Sequence, residues 1–593
     1  MEITHSSKAM TSILAQIFDE YFVDVHKITL IKFSTKTLEK NPQTLDIFDD
    51  TMSACQRPIP VEMSHADEEG FNPSFYNVMF VDSSEYLEVY LEQFDSWNND
   101  FSGLYVVVCA EEVEHETLNK FFKLTWSKHI INVILVVSDE HENVIIYSYQ
   151  SFRSNRCHSC TPIVKANLSI DALISGIDLF PYRLNNFHLC TLKAGVFRLE
   201  PFTVISEDEK GQKTHTGTEV LIAQTVAKHY NFSIEYVITP GEAKWGYIYR
   251  ENSTGLMGMI QENVVDFGFG TIGISVDRNK FLKSGVAHST STYVFAIPPG
   301  RKFTSIEKLF KPFSSIVWTC ITVVFVSVFL AAILWFGNTK IPFLQIFNME
   351  PLKTPLLNVW ITFLGVPLAK FSFRDLTKTV LTVWMFMGLV VRTLYQAAMF
   401  RHLHSGETTK PEDTVKDFNE AGLYYYLFDV TRRFFVDFPQ IQAMTRSITE
   451  QEDPNNKLQA LARGDFDGVL VLPSGMIHYF NQKNLGKFHL KTGKDVVTTY
   501  IVGIFYPKSS SINKLFDQII LRLQAAGITN YWRSNFGEVR YKEFRSERPT
   551  AIGLDSISGV FIIWLVSLIG CFIVFLFEIS TFKNGKRVKL LAM

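Results

Sequence analysis

The sequence predicts an α/β protein with two lobes arranged as a clamshell, split in the chain by a helical membrane segment and preceded by a small N-terminal α/β domain. Residues 316–336 and 556–577 lack charged side chains, and each run is long enough to cross ~30 Å of hydrocarbon. Before and between these runs, short β-rich stretches alternate with helical patterns, as in α/β folds. The predicted segments are 1–185 (N-terminal domain), 186–313 (first lobe segment), 314–400 (membrane segment), 401–555 (second lobe segment), 556–578 (last span) and 579–593 (tail).

Composition excludes several classes of protein. Lys and Arg number 57 against 60 Asp and Glu in 593 residues, so the net charge of −3 is not that of a basic nucleic-acid binder. The chain is 47% hydrophobic and 20% charged, which is too apolar for a disordered protein. The mean hydropathy of +0.09 predicts that part of it lies in a lipid bilayer. No catalytic constellation, metal-ligand cluster or cofactor motif is found, so neither an enzyme nor a cofactor is predicted.

The N-terminal segment should be an α/β domain without chemistry of its own. Its predicted strands are 27–33, 77–82, 104–110, 131–138 and 143–149, with helices at 84–97 and 111–128. It contains neither a Gly-rich phosphate loop nor a nucleophile elbow, so we expect a scaffold or assembly role. Cys157 and Cys160 form a lone CxxC without a second ligand pair, which indicates a structural disulfide or free thiols rather than zinc or redox chemistry.

The membrane segment has the pattern of a pore loop between two helices. A third apolar run covers 376–400, and residues 356–369 are apolar but too few to cross the bilayer, which fits a re-entrant segment. The cations of the tail place 579–593 in the cytoplasm, and three spans then place 1–313 and 401–555 outside. The sequons at Asn167, Asn231 and Asn252 agree with an exterior domain and predict glycosylation. Residues 1–22 lack the pattern of a signal peptide, so either translation starts elsewhere or the first span directs insertion.

The two lobe segments contain βα units. The first has a strand in 188–197, a helix over 218–229, a strand at 233–238, a helix over 255–263 and a strand at 265–270. The second includes similar units and a late helix over 512–526. Two such segments flanking a membrane block can form the lobes of one clamshell, with the ligand in the cleft between them.

These motifs resemble the ionotropic glutamate receptor superfamily, and within it the divergent insect ionotropic receptors of chemosensation. The first-lobe helix of the family is similar to the stretch with Gly217, Val220, Ala223, Ala227 and Phe232. The gating helix resembles residues 383–386 and 395–403, with Arg392 ahead of Tyr395-Gln396-Ala397-Ala398-Met399. In the half-span, Trp360 and Leu364-Gly365 resemble the pore helix. The resemblance implies a periplasmic-binding-protein-like clamshell split by a helical transmembrane channel domain.

The resemblance also implies site residues, with departures. Arg278 falls on the arginine that binds the ligand carboxylate, Thr431 on a second-lobe hydroxyl, and Thr218 near the aromatic that roofs a glutamate site. Pro473 replaces the acid that grips the ligand's ammonium, and residues 271–273 lack a hydroxyl of the usual Pro-Leu-Thr, so we do not expect a classical glutamate receptor. A ligand without a zwitterion is expected instead, either an organic acid or a larger apolar compound.

Each assignment has a plainer alternative. Arg278 could be a surface cation beside Asp277, and Thr431 could be a helix cap. Arg392 could extend its charge to the membrane surface, and Tyr395 to Met399 could be ordinary helix packing instead of the crossing of a channel bundle.

The pore segment predicts dependence on a partner. No Asp or Glu lies between Pro351 and Arg374, and Lys370 stands near the end of the half-span. Cation preference would then come from backbone carbonyls or from another subunit.

The sequence therefore predicts a ligand-gated cation channel subunit of the insect chemosensory type. We expect a multi-pass protein in the plasma membrane of sensory neurons, in a heterotetramer with related co-receptor subunits. The alternative is a non-conducting, membrane-anchored binding or transporter subunit.

Overall fold

A computed structural model gives the fold of most of the chain. It describes residues 5–591 except 23–26, 33–42, 57–59, 66–72, 82, 96–98, 140–142, 155, 170–172, 175, 182–183, 208–210, 212, 241–243, 299, 301–302, 337–354, 368–374, 405–410, 449–452, 466–467, 486 and 538–553. The chain forms two compact units, Met1–Pro298 with Asp413–Lys542, and Pro299–Glu412 with Glu543–Met593. The unit boundaries at Pro298 and Glu412 differ from the expected segment ends at 313 and 400.

The N-terminal domain is a mostly parallel sheet with helices packed against it. Its elements are α1 (His5–Tyr21), β1 (Ile28–Lys32), α2 (Gln43–Ala54), β2 (Val61–His65), β3 (Tyr76–Val81), α3 (Tyr86–Glu92), β4 (Leu104–Cys109), α4 (His115–Ser127), β5 (Asn132–Ser138), β6 (Val144–Tyr149), β7 (Phe152–Arg153), β8 (Arg156–Cys157) and β9 (Pro162–Leu168). The five predicted strands are confirmed, and both predicted helices form but are shorter than expected.

Seven strands build the central sheet of this domain, in the order β2-β1-β3-β4-β5-β6-β9. β1 to β5 run parallel, whereas β6 is antiparallel to both of its neighbours. The inner strands are buried on both faces, with hydrophobic clusters on either side, which explains why they consist of nearly continuous Val, Ile and Leu.

The next stretch of chain builds most of the first lobe and one strand of the second. It contains β10 (Thr191–Val196), β11 (Val204–Glu207), β12 (Lys213–Thr216), α5 (Thr218–Tyr230), β13 (Ser233–Ile238), α6 (Gly255–Gln261), β14 (Phe267–Gly268), α7 (Val276–Phe281), β15 (Leu282–Ser284) and β16 (Ser289–Ile297). The predicted elements all form, although the strand expected over 265–270 is reduced to Phe267–Gly268.

The second compact unit, Pro299–Glu412 with Glu543–Met593, is called the membrane unit below. It has α8 (Ser305–Phe310), α9 (Ser315–Phe336), α10 (Pro355–Phe363) and α11 (Asp375–His404). The chain then gives α12 (Val415–Glu420), β17 (Tyr424–Leu427), a 3₁₀ helix (Asp429–Phe435), α13 (Pro439–Ala443), β18 (Thr445–Ser447), α14 (Pro454–Arg463), β19 (Gly468–Pro473), α15 (Ser474–Lys483), β20 (Lys491–Val502), β21 (Phe505–Pro507), α16 (Asn513–Ala525) and α17 (Ile528–Asn535). The last helix, α18 (Leu554–Leu591), belongs to the membrane unit.

Two five-stranded sheets form the centres of the two lobes. The first lobe has the order β13-β10-β14-β21-β15, and the second has β18-β17-β19-β16-β20. Each sheet combines strands from before and after the membrane segment, since β21 joins the first sheet and β16 joins the second. Two α/β lobes built from both halves of the chain are the arrangement that the sequence predicts for a clamshell.

A disulfide and an ion pair attach the N-terminal domain to the first lobe. Cys157 is bonded to Cys190, just before β10, so the CxxC does not form an internal disulfide and Cys160 is a free thiol. Nearby, Nζ of Lys283 on β15 lies 2.7 Å from the Asp100 carboxylate and donates to Ser102 Oγ. The sequence did not predict this pairing, because the cysteines outside the apolar spans are odd in number and the two partners are 33 residues apart.

Among the described residues, two helices are long and apolar enough to cross a membrane, Leu381–His402 and Ser558–Ile579. The apolar stretch Ser315–Val328 of α9 is shorter, and beyond it Leu330 is the one residue of the predicted first span whose side chain is among those described. The half-span forms a helix only over Pro355–Phe363.

Candidate functional site

Arg278 lies inside the first lobe and is not a surface cation. Ser275 caps the start of α7 by accepting the Arg278 N–H, which fixes the backbone at this turn. The Arg278 side chain is only 7% exposed, and its Nη1 donates to the Gly273 carbonyl at 2.5 Å. A buried guanidinium with five donors and one neutral acceptor has hydrogen-bonding capacity left for a ligand.

The charge of Arg278 has no counter-ion in the described part of the chain. Burial, and secondly the positive charge of Arg433, lower the pKa of Arg278 to about 10. Because this value is far above neutral pH, the guanidinium stays protonated there. A buried cation without an acidic partner is costly to the empty protein, so such groups mark candidate binding sites.

A cavity of about 230 Å³ opens beside Arg278. Both lobes line it, with Arg278 and Thr271 from the first lobe and with Thr431 and Arg433 from the 3₁₀ helix of the second. None of the described residues around it is acidic; the full lining is Trp245, Thr271, Gly273, Ile274, Ser275, Arg278, Tyr293, Val430, Thr431, Arg433, Phe434 and Tyr500.

Thr271 supplies a second polar group. Its backbone N–H donates to both carboxylate oxygens of Glu219 at 3.0 Å, and that buried carboxylate also lies 3.2 Å from Nε2 of His288. These contacts hold Thr271 at a left-handed φ of 55°. Its side chain is 3% exposed, and Oγ1 has no hydrogen-bond partner among the described residues, which is unfavourable in an empty site.

Aromatic rings form the apolar side of the cavity. Tyr293 on β16 stacks on Tyr500 of β20 at 5.5 Å between ring centroids, and Phe434 packs against Tyr293 at 5.6 Å. Burial raises the pKa of Tyr293 and of Tyr500, so both phenols stay neutral. Trp245 donates from Nε1 to the Gly270 carbonyl at 2.8 Å, which fixes its ring on the first-lobe side.

The remaining residues expected at the ligand site fall in three different places. Thr431 lines the cavity and is 1% exposed, and its hydroxyl donates to the Phe428 carbonyl, so its oxygen can still accept a hydrogen bond. Thr218 is the first residue of α5 and is not among the lining residues; its N–H donates to the Pro201 carbonyl. Pro473 ends β19 opposite Tyr293 and does not line the cavity either.

Sequence reasoning missed Arg433, Tyr293, Tyr500 and Trp245. Arg433 lies two residues after Thr431, so the adjacent pair Arg432-Arg433 was a visible signal. The tyrosines could not be found from local patterns, because antiparallel pairing of β16 with β20 brings them together from distant parts of the chain.

The predicted pore residues lie on α10, α11 and the turn after α10. The ring of Trp360 stacks on Phe325 of α9 at 4.7 Å, and Trp384 Nε1 donates to the Val359 carbonyl at 3.4 Å. These contacts pack the half-span helix against α9 and α11. Lys370 lies outside the described residues.

Arg392 is attached to the end of the half-span helix. Its Nη1 donates to the Leu364 carbonyl at 2.5 Å, and its Nε donates to Gly388. The next residue, Gly365, has a φ of 82°, and a Cβ there would overlap the guanidinium. A cation at a helix carboxyl terminus is stabilised by the free carbonyls and by the helix dipole.

The residues predicted at the gate occupy the last turns of α11. The Tyr395 hydroxyl donates to the Leu309 carbonyl of α8 at 3.1 Å, whereas Gln396 and Ala397 are exposed and Ala398 and Met399 are half-buried. On the other side of α8, the Ser305 and Ser558 hydroxyls lie 2.7 Å apart, so α8 contacts both α11 and α18. The sequon residues Asn167, Asn231 and Asn252 are all exposed.

A second polar contact joins the lobes. The Glu200 carboxylate, 5% exposed, accepts from Arg198 of its own lobe at 2.8 Å and from Asn455 of the second lobe at 3.2 Å. Lys483 of the second lobe lies 3.5 Å from the same carboxylate. Burial opposes ionisation, but the neighbouring donors and cations outweigh it and lower the pKa of Glu200.

Comparison with known proteins gives matches to one superfamily. A family model described as "Putative ionotropic receptor, ligand binding domain" matches residues 1–186, which is the N-terminal domain and not the two lobes around the cavity. The human protein "Glutamate receptor ionotropic, delta-1" is 22% identical over 414 residues, 64% of this chain and 40% of that protein, and the mouse protein of the same name has the same identity and shares. "Ionotropic receptor 40a" of Drosophila melanogaster is 25% identical over 126 residues, 20% of this chain and 17% of that protein. The matched part of each relative is thus less than half of its length.

Proposed function

We propose that this chain, a member of the ionotropic glutamate receptor superfamily, is a ligand-gated cation channel subunit of the insect chemosensory type. The ligand is an organic acid whose carboxylate binds Arg278 between the two lobes. The observation that carries the proposal is the buried Arg278 guanidinium, without a counter-ion in the described chain, beside a cavity lined by both lobes.

The size of the cavity favours a small acid over a large apolar compound. About 230 Å³ is below the roughly 300–1,000 Å³ that is usual for drug-sized ligands. Bidentate bonds from a guanidinium to a carboxylate would use the donors of Arg278 that the protein leaves free. A zwitterion is disfavoured, because none of the described lining residues could balance a buried ammonium.

The membrane unit supports conduction over the alternative of a non-conducting binding subunit. A short helix, α10, lies between two apolar helices, and a protein that only binds its ligand does not need this element. Movement of the second lobe would reach the membrane through residues 298–304, which join β16 to α8. Since α8 contacts α11 and α18, displacement of α8 would change the packing of the gating helix.

Arg392 supports dependence on a partner subunit. Its guanidinium places a positive charge at the carboxyl end of α10, where a cation-conducting pore would need free carbonyl oxygens. The described residues of the half-span contribute no acidic side chain. We therefore propose a heterotetramer with related co-receptors that supply the cation preference. The subunit would lie in the plasma membrane of sensory neurons, with the lobes outside, glycosylated at the exposed sequons, and with residues 579–593 inside.

Current recording tests this function. Cells expressing this chain with a related co-receptor should give inward cation currents on addition of small carboxylic acids, and neither subunit alone should do so. Arg278→Gln should abolish the evoked current, whereas Arg250→Gln, at an exposed position of the same lobe, should leave it unchanged. Robust evoked currents from this chain alone would refute the dependence on a partner. Saturable carboxylate binding without current in any pairing would favour the non-conducting alternative.

A further inference from the structure

The cavity has a second cationic group that the resemblance did not assign. Arg433 stands on the 3₁₀ helix of the second lobe, and it lines the same cavity as Arg278 of the first. Its side chain is exposed at the cavity mouth and packs over the ring of Phe434, 5.2 Å from the ring centroid. A single carboxylate is enough to bind the donors of Arg278. A second guanidinium at the same cavity therefore indicates that the ligand carries a second anionic group.

The two guanidiniums belong to opposite lobes and line the same cavity. The charge of Arg433 lowers the pKa of Arg278. The described lining contains no acid that would separate them, and the buried Glu219 carboxylate accepts from the Thr271 N–H and lies 3.2 Å from Nε2 of His288. Like charges on opposite lobes repel, with the repulsion weakened by solvent around the exposed Arg433 side chain, and this opposes approach of the two residues.

Independent evidence for a polar ligand comes from Thr271. Its Oγ1 is buried at the cavity without a hydrogen-bond partner among the described residues. A ligand oxygen between the lobes could accept from this hydroxyl while it binds the guanidiniums.

We propose that the cavity binds a short dicarboxylate, with one carboxylate on Arg278 and the other on Arg433, so that the ligand's charge converts repulsion between the lobes into attraction. This inference rests on the proposed function, of which it narrows the ligand class. Arg433 is then a specificity-determining residue. Monocarboxylates occupy the Arg278 end alone, bind more weakly and close the lobes less.

Direct binding to the full-length chain in lipid nanodiscs tests the proposal. Calorimetric titration would compare malonate, succinate, glutarate and adipate with acetate, propionate and butyrate at constant ionic strength. At least one dicarboxylate should bind about tenfold or more tightly than every monocarboxylate, because a charge-assisted bidentate pair is added. Affinity should peak at one chain length, since the two guanidiniums fix the spacing.

Arg433→Gln provides the decisive variant. It should reduce dicarboxylate affinity to the level of the monocarboxylates and leave monocarboxylate affinity unchanged or slightly lower. Arg432→Gln is the matched control, because the neighbouring Arg432 is exposed and contacts Ser447 instead of the cavity. This control should retain the preference for the dicarboxylate.

The outcomes separate this inference from the proposed function. If monocarboxylates bind as tightly as every dicarboxylate, or if Arg433→Gln and Arg432→Gln behave alike, the inference is overturned while a carboxylate-gated channel remains possible. If the dicarboxylate preference and its loss in Arg433→Gln are observed but no current is evoked with any co-receptor, the inference holds and the channel function fails. Absence of binding by all seven acids overturns both.

Discussion

The two lobes meet at two polar places of opposite electrostatic character. At Glu200 a buried anion of the first lobe is bonded by Asn455 and lies near Lys483 of the second, so its charge is balanced by the protein itself. At the cavity, Arg278 and Arg433 approach from opposite lobes, and none of the described lining residues is acidic. The first contact joins the lobes through the protein's own groups, whereas under the proposed function a ligand completes the second. We therefore expect variants at the two contacts to differ, with stability affected at Glu200 and ligand affinity at Arg278.

The largest expected effect is at the cavity. Arg278→Gln should lower carboxylate affinity about 100-fold or more, since a charge-assisted bidentate pair is lost. The same variant should leave the melting temperature of the empty protein unchanged or higher, because it removes a buried cation without a counter-ion. Thermal unfolding with and without ligand measures both effects. A lower melting temperature of the empty variant, at unchanged affinity, would mean that Arg278 is structural.

Glu200→Gln should have an intermediate effect. Loss of the carboxylate weakens the bonds to Asn455 and Lys483 and leaves Arg198 with a poorer partner, which we expect to cost about 1–3 kcal/mol of stability. The apparent ligand affinity should also fall several-fold, because the lobes separate more easily. Glu207→Gln is the control, as Glu207 is an exposed acid on β11 near the same surface. Equal losses in both variants would indicate a general charge effect and would contradict a specific interlobe bond.

The same contact predicts a pH dependence. The pKa of Glu200 is lower in the folded protein than in the unfolded chain, so its stabilisation is complete above the unfolded pKa and is lost as the pH falls through the folded pKa. Melting temperatures measured between neutral pH and pH 3 should therefore fall less steeply for Glu200→Gln than for the unmodified protein. Parallel curves would show that Glu200 does not contribute to the acid sensitivity.

The smallest expected effect concerns Thr271. Thr271→Val keeps the side-chain shape and removes the hydroxyl whose oxygen has no described partner. The empty protein should be equally stable or slightly more stable, whereas carboxylate affinity should fall about threefold to tenfold, the value of a neutral hydrogen bond. Calorimetry and thermal unfolding of the same preparation give the two numbers. Unchanged affinity would show that the ligand does not use this hydroxyl.

The contrast between the two places also shows what the sequence could predict. Five strands of the N-terminal domain followed from hydrophobic pattern, whereas β2, β7, β8 and β9 did not. In the stretch that builds the first lobe, the pattern predicted β10, α5, β13, α6 and β14 but missed the other elements. Arg278 was found through a motif, yet its burial was not, since that depends on packing around α7. The membrane segment separates Arg278 from Arg433, which line one cavity, and Glu200 from Asn455, which are hydrogen-bonded. No local pattern records that such distant residues come together.

The disulfide between Cys157 and Cys190 bears on which lobe would move if the proposed ligand closes the cleft. Together with the Lys283–Asp100 ion pair, it attaches the first lobe to the N-terminal domain with its seven-stranded sheet. We therefore expect the first lobe and this domain to move together. Under the proposed function, a ligand that shortens the distance across the cavity would then displace the second lobe, because the first lobe is attached to the N-terminal domain. Because β16 belongs to that lobe and is followed in the chain by α8, displacement of the second lobe is the route by which the proposed ligand would act on α8.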